Sequence, residues 1–366
     1  MYCLEKKYPV IEINLKKLRH NIDEIVKRCK KDGIEIAAVV KGFNGIPRAM
    51  KLYNQSGCKQ IASSRLEHLA MARKLGISGP FLAIRIPMMS EIPDLVSLAD
   101  MSLNSELAVI KAIDAECHRR KKYHGIILMA DLGDLREGFW DKEEIVRAAV
   151  YIEKELKHVY LAGVGTNLGC YGSIHATPQK MEELIAVAET IEEAIGRKLE
   201  IISGGGTLSL PLVIKGTMPD RINHLRLGEG IILGRDLQEF WNLDMSFLYH
   251  DVFTLKAEII EIKDKPSYPV GEIFVNCFGK TGQYIDRGTR KRAILAVGKV
   301  DFALDYQLYP RLSGVEILGS SSDHLIVDIQ ENRDDLAVGD ILEFDLQYST
   351  MLYLTNSRYV RIDCKE

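Results

Sequence analysis

From residue 34 to about residue 227, short runs of β-branched and other apolar residues alternate with longer stretches of helical period. The runs are 34–40 "IEIAAVV", 59–62 "KQIA", 80–84 "PFLAI", 99–103 "ADMSL", 125–130 "GIILMA", 160–165 "YLAGVG", 199–202 "LEII" and 223–227 "NHLRL", eight in all. Apolar side chains fall at successive positions, as a strand requires when both of its faces are covered. Between the runs the period becomes helical. In "MEELIAVAETIEEAIG", Met181, Leu184, Ile185, Ala188, Ile191 and Ile195 share one face, and Gly196 is placed to end the helix. Ser64 and Glu67 stand at capping-box spacing before "HLAMARKLG", which predicts Ser64 as an N-cap. Eight strand–helix pairs with both strand faces apolar predict a (β/α)8 TIM-type barrel rather than a two-layer sheet.

After about residue 245 the pattern changes. "FTLKAEIIEI", "RAILAVG", "DHLIVDI" and "ILEFDL" read as strands with no long helices between them, and Val338-Gly339-Asp340 reads as a turn. The expected fold is therefore α/β: a barrel over residues 1–235, followed by a smaller all-β C-terminal domain over 236–366. The strand-like "YPVIEIN" near the N-terminus puts residues 1–13 forward as a segment that could pair with the β-domain.

Composition adds exclusions. The chain has 366 residues, 46% hydrophobic and 27% charged, which is ordinary for a globular protein of about two domains. A net charge of -3 gives no general reason to bind nucleic acid or acidic membranes, so small molecules or protein partners are expected. The N-terminus "MYCLEKKYPVIEI" lacks the apolar core of a signal peptide, and no window has the apolar length of a membrane span; the expectation is a soluble, cytoplasmic protein. Cys3, Cys29, Cys58, Cys117, Cys170, Cys277 and Cys364 are odd in number and scattered, which points to reduced thiols rather than disulfides or a zinc site. The nine histidines show no ligand spacing, and no metal is expected.

In a barrel, catalytic groups sit where strands end. The polar residues closing the eight runs are Lys41, Ser64, Arg85, Asn104, Asp131, Asn167, Ser203 and Arg226. A lysine desolvated at such a mouth has its pKa lowered towards a nucleophilic amine and suits Schiff-base chemistry. A lysine ending a strand in solvent reads equally well from Lys41 alone. "ISGGGTLSL" (201–209) and "HLRLGEGIILG" (224–234) then place glycines and hydroxyls after the last two barrel strands, where backbone N–H groups can hold a phosphate. A phosphate cradle facing a lysine is what pyridoxal phosphate needs in a barrel.

These residues carry a family resemblance over nearly the whole chain. "AAVVKGFNG" resembles the lysine motif of the fold-type III alanine racemases. "ADLGDLREGF" is similar to their Asp-Thr-Gly-x-x-Arg-x-Gly, "HLRLGEGIILG" to their Arg-x-Gly-Ile, and "KPSYPVGE" to their Ser-Tyr-Gly. "LAVGKVDF" and "SSSDHLIVDI" resemble two further elements, in the same order. Within that family "VVKGFNG", "GVGTNLGCYG" and "NHLRLGEG" look most like the alanine/ornithine racemase branch, ornithine racemase above all. The resemblance implies pyridoxal 5'-phosphate as cofactor, with Lys41 as its covalent anchor and one catalytic base. It implies Tyr268 as the second base, reaching in from the partner of a homodimer. Arg226 matches the arginine facing the pyridine nitrogen. Gly228 and Glu229 would offer backbone N–H groups to the phosphate, with Ser203, Gly204, Gly205 and Gly206 alongside, and Tyr359 stands near the place of a phosphate-binding tyrosine. Arg136 matches an arginine near the cofactor's phenolic oxygen or the substrate.

The departures point to the substrate. "GFNG" lacks the tyrosine that follows the lysine in alanine racemases. Met129 stands in place of a lysine, Asn167 of a histidine and Ser322 of a methionine, so Asn167 and Ser322 join Arg136 as candidate substrate residues. A remodelled pocket favours a basic amino acid, ornithine first and lysine second, racemised by two bases on opposite faces. Three alternatives stay open: an alanine or broad-specificity racemase, a pyridoxal-phosphate decarboxylase of basic amino acids, and a non-enzymatic carrier of the cofactor. Arg226 and Tyr268 speak against the decarboxylase, and the β-domain against the carrier. Asp301 and Asp323 are read as supporting carboxylates, Asp131 as a candidate to orient Arg136, and Asp134 and Glu137 as candidates to pair with it.

Overall fold

Each of the eight apolar runs is a strand in the computed structural model, which describes residues 7–366. In chain order the strands are β1 (Val10–Asn14), β2 (Glu35–Val39), β3 (Gln60–Ser63), β4 (Phe81–Ala83), β5 (Met101–Asn104), β6 (His124–Met129), β7 (Val159–Gly165), β8 (Ile201–Ser203) and β9 (His224–Leu227). β2 to β9 form a closed parallel barrel, with β9 returning to β2 through the pairs Glu35↔His224 and Ala37↔Arg226. Burial is continuous along β3, β5's last three residues, β6 and β9, because helices cover the outside and side chains fill the inside. Ala37, Val39, Ala62, Leu82, Leu103, Ile127, Met129 and Ala162 form that filling. All eight are buried in one contiguous cluster, so the barrel interior is a packed core rather than a channel.

One glycine in the wall is dictated by space. The β6–β7 register shifts at Ile126/Ile127, and β7 carries Gly163 against β8. A Cβ on Gly163 would lie 2.0 Å from the carbonyl oxygen of Ile201, closer than any side chain tolerates.

The helix Pro178–Ile195 buries Met181, Leu184, Ile185, Ala188 and Ile191 of the predicted face, with Ile195 half-buried at its end, starts from Thr177, whose hydroxyl accepts the Lys180 N–H, and ends at Gly196. The predicted cap at Ser64 does not form. Helix Leu66–Lys74 begins from Arg65 without a side-chain cap, and Ser63 Oγ accepts the Arg65 N–H at 3.1 Å instead. Ser63, the last residue of β3, has its hydroxyl fixed there by His68 Nδ1 at 2.9 Å and so supplies the oxygen expected of Ser64.

Leu15–His250 is one compact unit; Asp251–Glu366 with the described residues before Leu15 is the other. The division falls after His250, where the sequence reading put it after residue 235. Residues 236–250 stay with the barrel because Arg235–Trp241 is helical and the following segment is tied back: His250 Nδ1 meets Leu233 O at 2.6 Å, and Asn21 brackets Tyr249 through its N–H and carbonyl at 2.8 Å each.

The second unit is built on β10 (Phe253–Pro266), whose Phe253, Leu255, Ala257 and Ile259 are buried in alternation. With β11 (Thr289–Leu295), β12 (Leu308–Pro310), β13 (Glu316–Ser320), β14 (Leu325–Asp328) and β15 (Ile341–Leu346) it forms a sheet of order β12-β15-β10-β11-β14-β13, and β1 joins β10 antiparallel and β16 (Arg361–Lys365) parallel. A helix, Tyr348–Asn356, also lies here.

Residues 1–6, with Cys3 and the first six residues of the stretch read for a leader, lie outside the described residues. Among the described residues the six cysteines are free, no group of His, Cys, Asp and Glu could hold a metal, and no helix is long and apolar enough to cross a membrane.

Candidate active site

Lys41 leaves the end of β2 in a single helical turn, Lys41–Phe43, closed by the Asn44 N–H on the Lys41 carbonyl at 3.1 Å. Phe43 is fully buried and stacked on Tyr53, which pins the turn from below. His68 pins it from the side, with Nε2 at 2.9 Å from Asn44 Oδ1 and Nδ1 at 2.9 Å from Ser63 Oγ. The Lys41 amine has no hydrogen-bond or ion-pair partner among the described residues, and burial lowers its pKa from the usual lysine range. Arg136 and Arg226 press it down further; Cys170 and Glu137 oppose them. The solvent-lysine reading of the sequence therefore gives way to a desolvated amine.

Arg226 stands on β9 in register with Ala37 of β2, one stave from the strand that delivers Lys41. Only 6% exposed, it donates to Ser203 Oγ at 2.6 Å and to the Thr166 carbonyl at 2.8 Å. Both acceptors are neutral. Among the described residues no carboxylate pairs with Arg226, and burial brings its pKa down to about 10, which still leaves it charged at neutral pH. A buried cation held by neutral oxygens is a place prepared for an acceptor that is not part of the chain.

The two glycine-rich segments follow β8 and β9. Gly205 has φ +110, and a Cβ there would lie 2.7 Å from Ser209 Oγ, so the turn requires glycine. The Thr207 hydroxyl accepts the Gly230 N–H at 3.0 Å and ties the two segments together. The backbone N–H groups of Gly206, Thr207, Gly228 and Glu229 make no turn or loop hydrogen bond among the described residues. The Glu229 side chain is buried, and burial, aided by the charge of nearby Asp236, pushes its carboxyl up to about 8. A carboxyl whose charged form is disfavoured repels an anion at its own backbone less. Ser203 is not free to face such an anion, because its hydroxyl also meets His224 Nδ1 at 2.8 Å.

The loops after β6 and β7 complete the mouth. Asp134, 1% exposed, accepts the N–H groups of Gly169, Tyr171 and Gly172 and so joins them. Asp131 is spent on the N–H groups of Gly133 and Leu135, so it does not orient Arg136. Arg136 pairs with Glu137 through two nitrogens. Asn167 Oδ1 accepts from Cys170 Sγ at 3.6 Å, while its Nδ2 is buried without a hydrogen-bond partner among the described residues.

Tyr268, Ser322 and Tyr359 belong to the other unit. Tyr268 follows β10, 44% exposed, and Ser267 beside it is held by the Arg287 N–H on Oγ and by Arg292 on its carbonyl, each within 2.9 Å. Ser322 is exposed and donates to Asp323 at 2.8 Å. Tyr359 lines an open hollow of about 290 Å³ with Asp301, Asp323 and His324. Asp301 accepts from the Ser357 hydroxyl and the Gly298 N–H. Thr166, Thr207 and the His224–Gln60 pair were not singled out by the sequence, and Asp134, put forward there as a partner of Arg136, is instead committed to the loop after β7 while Glu137 takes Arg136. Only Thr207, directly after three glycines, carried a local signal.

With this geometry in hand, residues 13–236 match the family described as the alanine racemase N-terminal domain. The chain belongs to the alanine racemase family. It is 38% identical over 353 residues to a protein named ornithine racemase from Acetoanaerobium sticklandii, covering 96% of this chain and 98% of that one. It is also 38% identical over 354 residues to a lysine racemase from Thermotoga maritima, covering 96% and 97%. Among solved structures, the alanine racemase of Streptomyces lavendulae superposes with a TM-score of 0.76 at 17% identity over 99% and 98% of the two chains, and that of Clostridium difficile with 0.74 at 18% over 99% and 97%. The family is one of racemases, and the barrel with its antiparallel β-domain is its fold.

For this family member, the residues present fit pyridoxal phosphate. They supply a desolvated amine, a buried cationic donor with no carboxylate paired to it among the described residues, and two loops with open backbone N–H groups.

Proposed function

We propose that this family member is a pyridoxal-phosphate-dependent racemase of a basic amino acid, ornithine first and lysine second. The observation that carries the reading is Arg226: a buried donor without a carboxylate, one stave from Lys41. The relatives named for ornithine and lysine support the choice of substrate.

Lys41 would hold the cofactor, Arg226 its pyridine nitrogen, and the N–H groups of Gly206, Thr207, Gly228 and Glu229 its phosphate. Pyridoxal phosphate, when bound, draws electrons from the α-carbon of the attached amino acid and makes the α-proton removable. Lys41, its amine favoured as the neutral base by burial, takes or returns that proton on one face. Tyr268 does so on the other. Arg226 would donate a hydrogen bond to the pyridine nitrogen and, because a guanidinium keeps its proton, would limit how far electrons are withdrawn and restrain side reactions. Arg136, Asn167 and Ser322 are the candidate substrate contacts, and Asn167 Nδ2 has a donor to offer. Tyr359 remains a candidate at the phosphate.

The same proposal includes a homodimer in which Tyr268 serves the partner's Lys41. Exposure of Tyr268 and of Val270, Phe274 and Ile285 along the following loop supports an interface there. A cytoplasmic location is part of the reading and agrees with the free cysteines.

The test is incubation of cofactor-loaded protein with L-ornithine, L-lysine and L-alanine, followed by chiral analysis and a carbon dioxide assay. D-ornithine and D-lysine are expected, with kcat/KM for alanine far lower because polar groups in the pocket would be left unpaired. Equal turnover of alanine would replace the reading with a general alanine racemase, and carbon dioxide would replace it with a decarboxylase.

A further inference from the structure

Arg226 is backed by a chain of buried hydrogen bonds that runs away from the mouth into the barrel. Arg226 Nη1 donates to Ser203 Oγ at 2.6 Å, Ser203 Oγ meets His224 Nδ1 at 2.8 Å, His224 Nε2 meets Gln60 Oε1 at 3.0 Å, and Gln60 Nε2 donates to Met101 Sδ at 3.6 Å. Ser203, His224 and Gln60 are 0%, 2% and 4% exposed. None of these three was given a role behind the arginine by the sequence.

The chemistry at both ends fixes every proton between them. A guanidinium only donates, so Ser203 Oγ must accept from Arg226. A thioether only accepts, so the Gln60 amide nitrogen faces Met101 and its oxygen faces His224. His224 Nε2 must then carry the ring hydrogen. In the neutral ring this leaves Nδ1 bare, ready for the one hydrogen that Ser203 has left to give. A protonated ring would set a second cation against the same hydroxyl and leave the Ser203 hydrogen without His224 as its acceptor. Burial first, then the charge of Arg226, pushes the His224 pKa down to about 3, so the neutral ring persists through the working range.

We propose that His224 is a positioning residue for Arg226: a neutral Nε2–H imidazole that, through Ser203, fixes the place and the one-way donor role of the guanidinium. This rests on the reading that Arg226 serves the pyridine nitrogen. The network has a reason to be neutral. A carboxylate in the place of Ser203 would neutralise Arg226 and spend its hydrogen-bonding power within the chain. A hydroxyl polarised by an imidazole orients the guanidinium and leaves its charge for the ligand.

Two measurements separate this proposal from the function it rests on. The first is nitrogen NMR of histidine-labelled protein without cofactor, with the His224 signals assigned by their loss in His224→Asn. Between pH 5 and pH 9 the ring should show a protonated Nε2, a bare Nδ1 and no titration. A midpoint above pH 5, or the Nδ1–H form, overturns the proposal whether or not the protein is a racemase. The second compares variants loaded with cofactor. His224→Leu removes the acceptor for Ser203, while His224→Asn keeps an oxygen near the Nδ1 position. His224→Leu should lower kcat about tenfold or more with little change in KM and shift the cofactor absorption band, and His224→Asn should restore most of both. Ser203→Ala should give the same shift, and the double variant should lose no more than Ser203→Ala alone, since both act through one hydroxyl. Equal losses in the two His224 variants, or losses that multiply in the double variant, would show that the ring acts only as packing. If none of the proteins racemises any amino acid while the NMR result holds, the functional reading fails and the hydrogen-bond chain stands.

Discussion

The carboxylate of Asp134, in the loop after β6, accepts the backbone N–H of Gly169, in the loop after β7, at 2.8 Å. Tyr171 and Gly172 donate to the same side chain, so the segment bearing Asn167 and Cys170 is shaped from the neighbouring stave. Asp134→Asn turns one acceptor into a donor facing N–H groups, at a cost of about 1–3 kcal/mol in local stability. Ornithine turnover should fall at least severalfold, and limited proteolysis should cut within residues 166–173 before the rest of the chain. A variant with unchanged kcat/KM and an uncut loop would show that the loop holds its form without Asp134.

Lys41 should be the residue that anchors the cofactor. Borohydride reduction of the loaded protein followed by peptide mapping is expected to place the pyridoxyl group on Lys41, and Lys41→Ala should abolish labelling there. Label on another lysine in the wild-type protein would move the catalytic assignment with it.

If Tyr268 completes the partner's site, Lys41→Ala and Tyr268→Phe proteins, each inactive alone, should recover activity on mixing. One wild-type site per heterodimer sets the ceiling. Failure to recover after demonstrated subunit exchange would place both bases in one chain.

Two buried histidines should set part of the acid limb of stability. Burial pushes the pKa of His224 to about 3 and of His124 to about 4, against roughly 6.5 in the unfolded chain. Below the unfolded value the unfolded state therefore binds more protons than the native one, and stability falls as pH drops from about 6.5 towards 4, by at most about 1.4 kcal/mol per pH unit for each ring. Urea unfolding of His224→Asn should accordingly show a shallower loss over that window than wild type. Parallel slopes would mean that His224 titrates alike in both states.

Gly163→Ala should destabilise the barrel by about 2 kcal/mol or more, because β7 and β8 must separate to admit the methyl group. Thermal melting without cofactor reads this directly; an unchanged Tm would contradict the close approach at Ile201.

The barrel was legible because its strands are covered on both faces and so read as apolar runs, with helical period between them. β12, β13 and β16 were not: they are short, and β13 and β16 have no fully buried residue, so no apolar pattern marks them. Helix Tyr348–Asn356 was hidden for another reason, since its "YSTMLYLTN" is rich in residues that favour strands as much as helices. In the site, Lys41 and Arg226 were visible because each ends an apolar run. Gln60 and His224 are 164 residues apart and meet only when the barrel closes, which no local pattern encodes. Ser203 was seen as a hydroxyl near phosphate-binding glycines, but its two hydrogen bonds depend on partners that sequence spacing does not pair.

β1 lies between β10 and β16, with the whole of Leu15–His250 emerging between the first of these strands and the other two. During synthesis, then, the barrel can close on residues already made, while β1 must wait, unpaired, for the last hundred or so residues. Among the described residues β16 pairs with β1 and β1 otherwise with β10, so an early stop that removed β10 and all after it would leave a finished barrel carrying an orphaned strand. The order of translation makes the barrel's completion and the β-unit's completion two separate events, and a chaperone or an aggregating neighbour would meet the exposed edge of β1 in the interval between them.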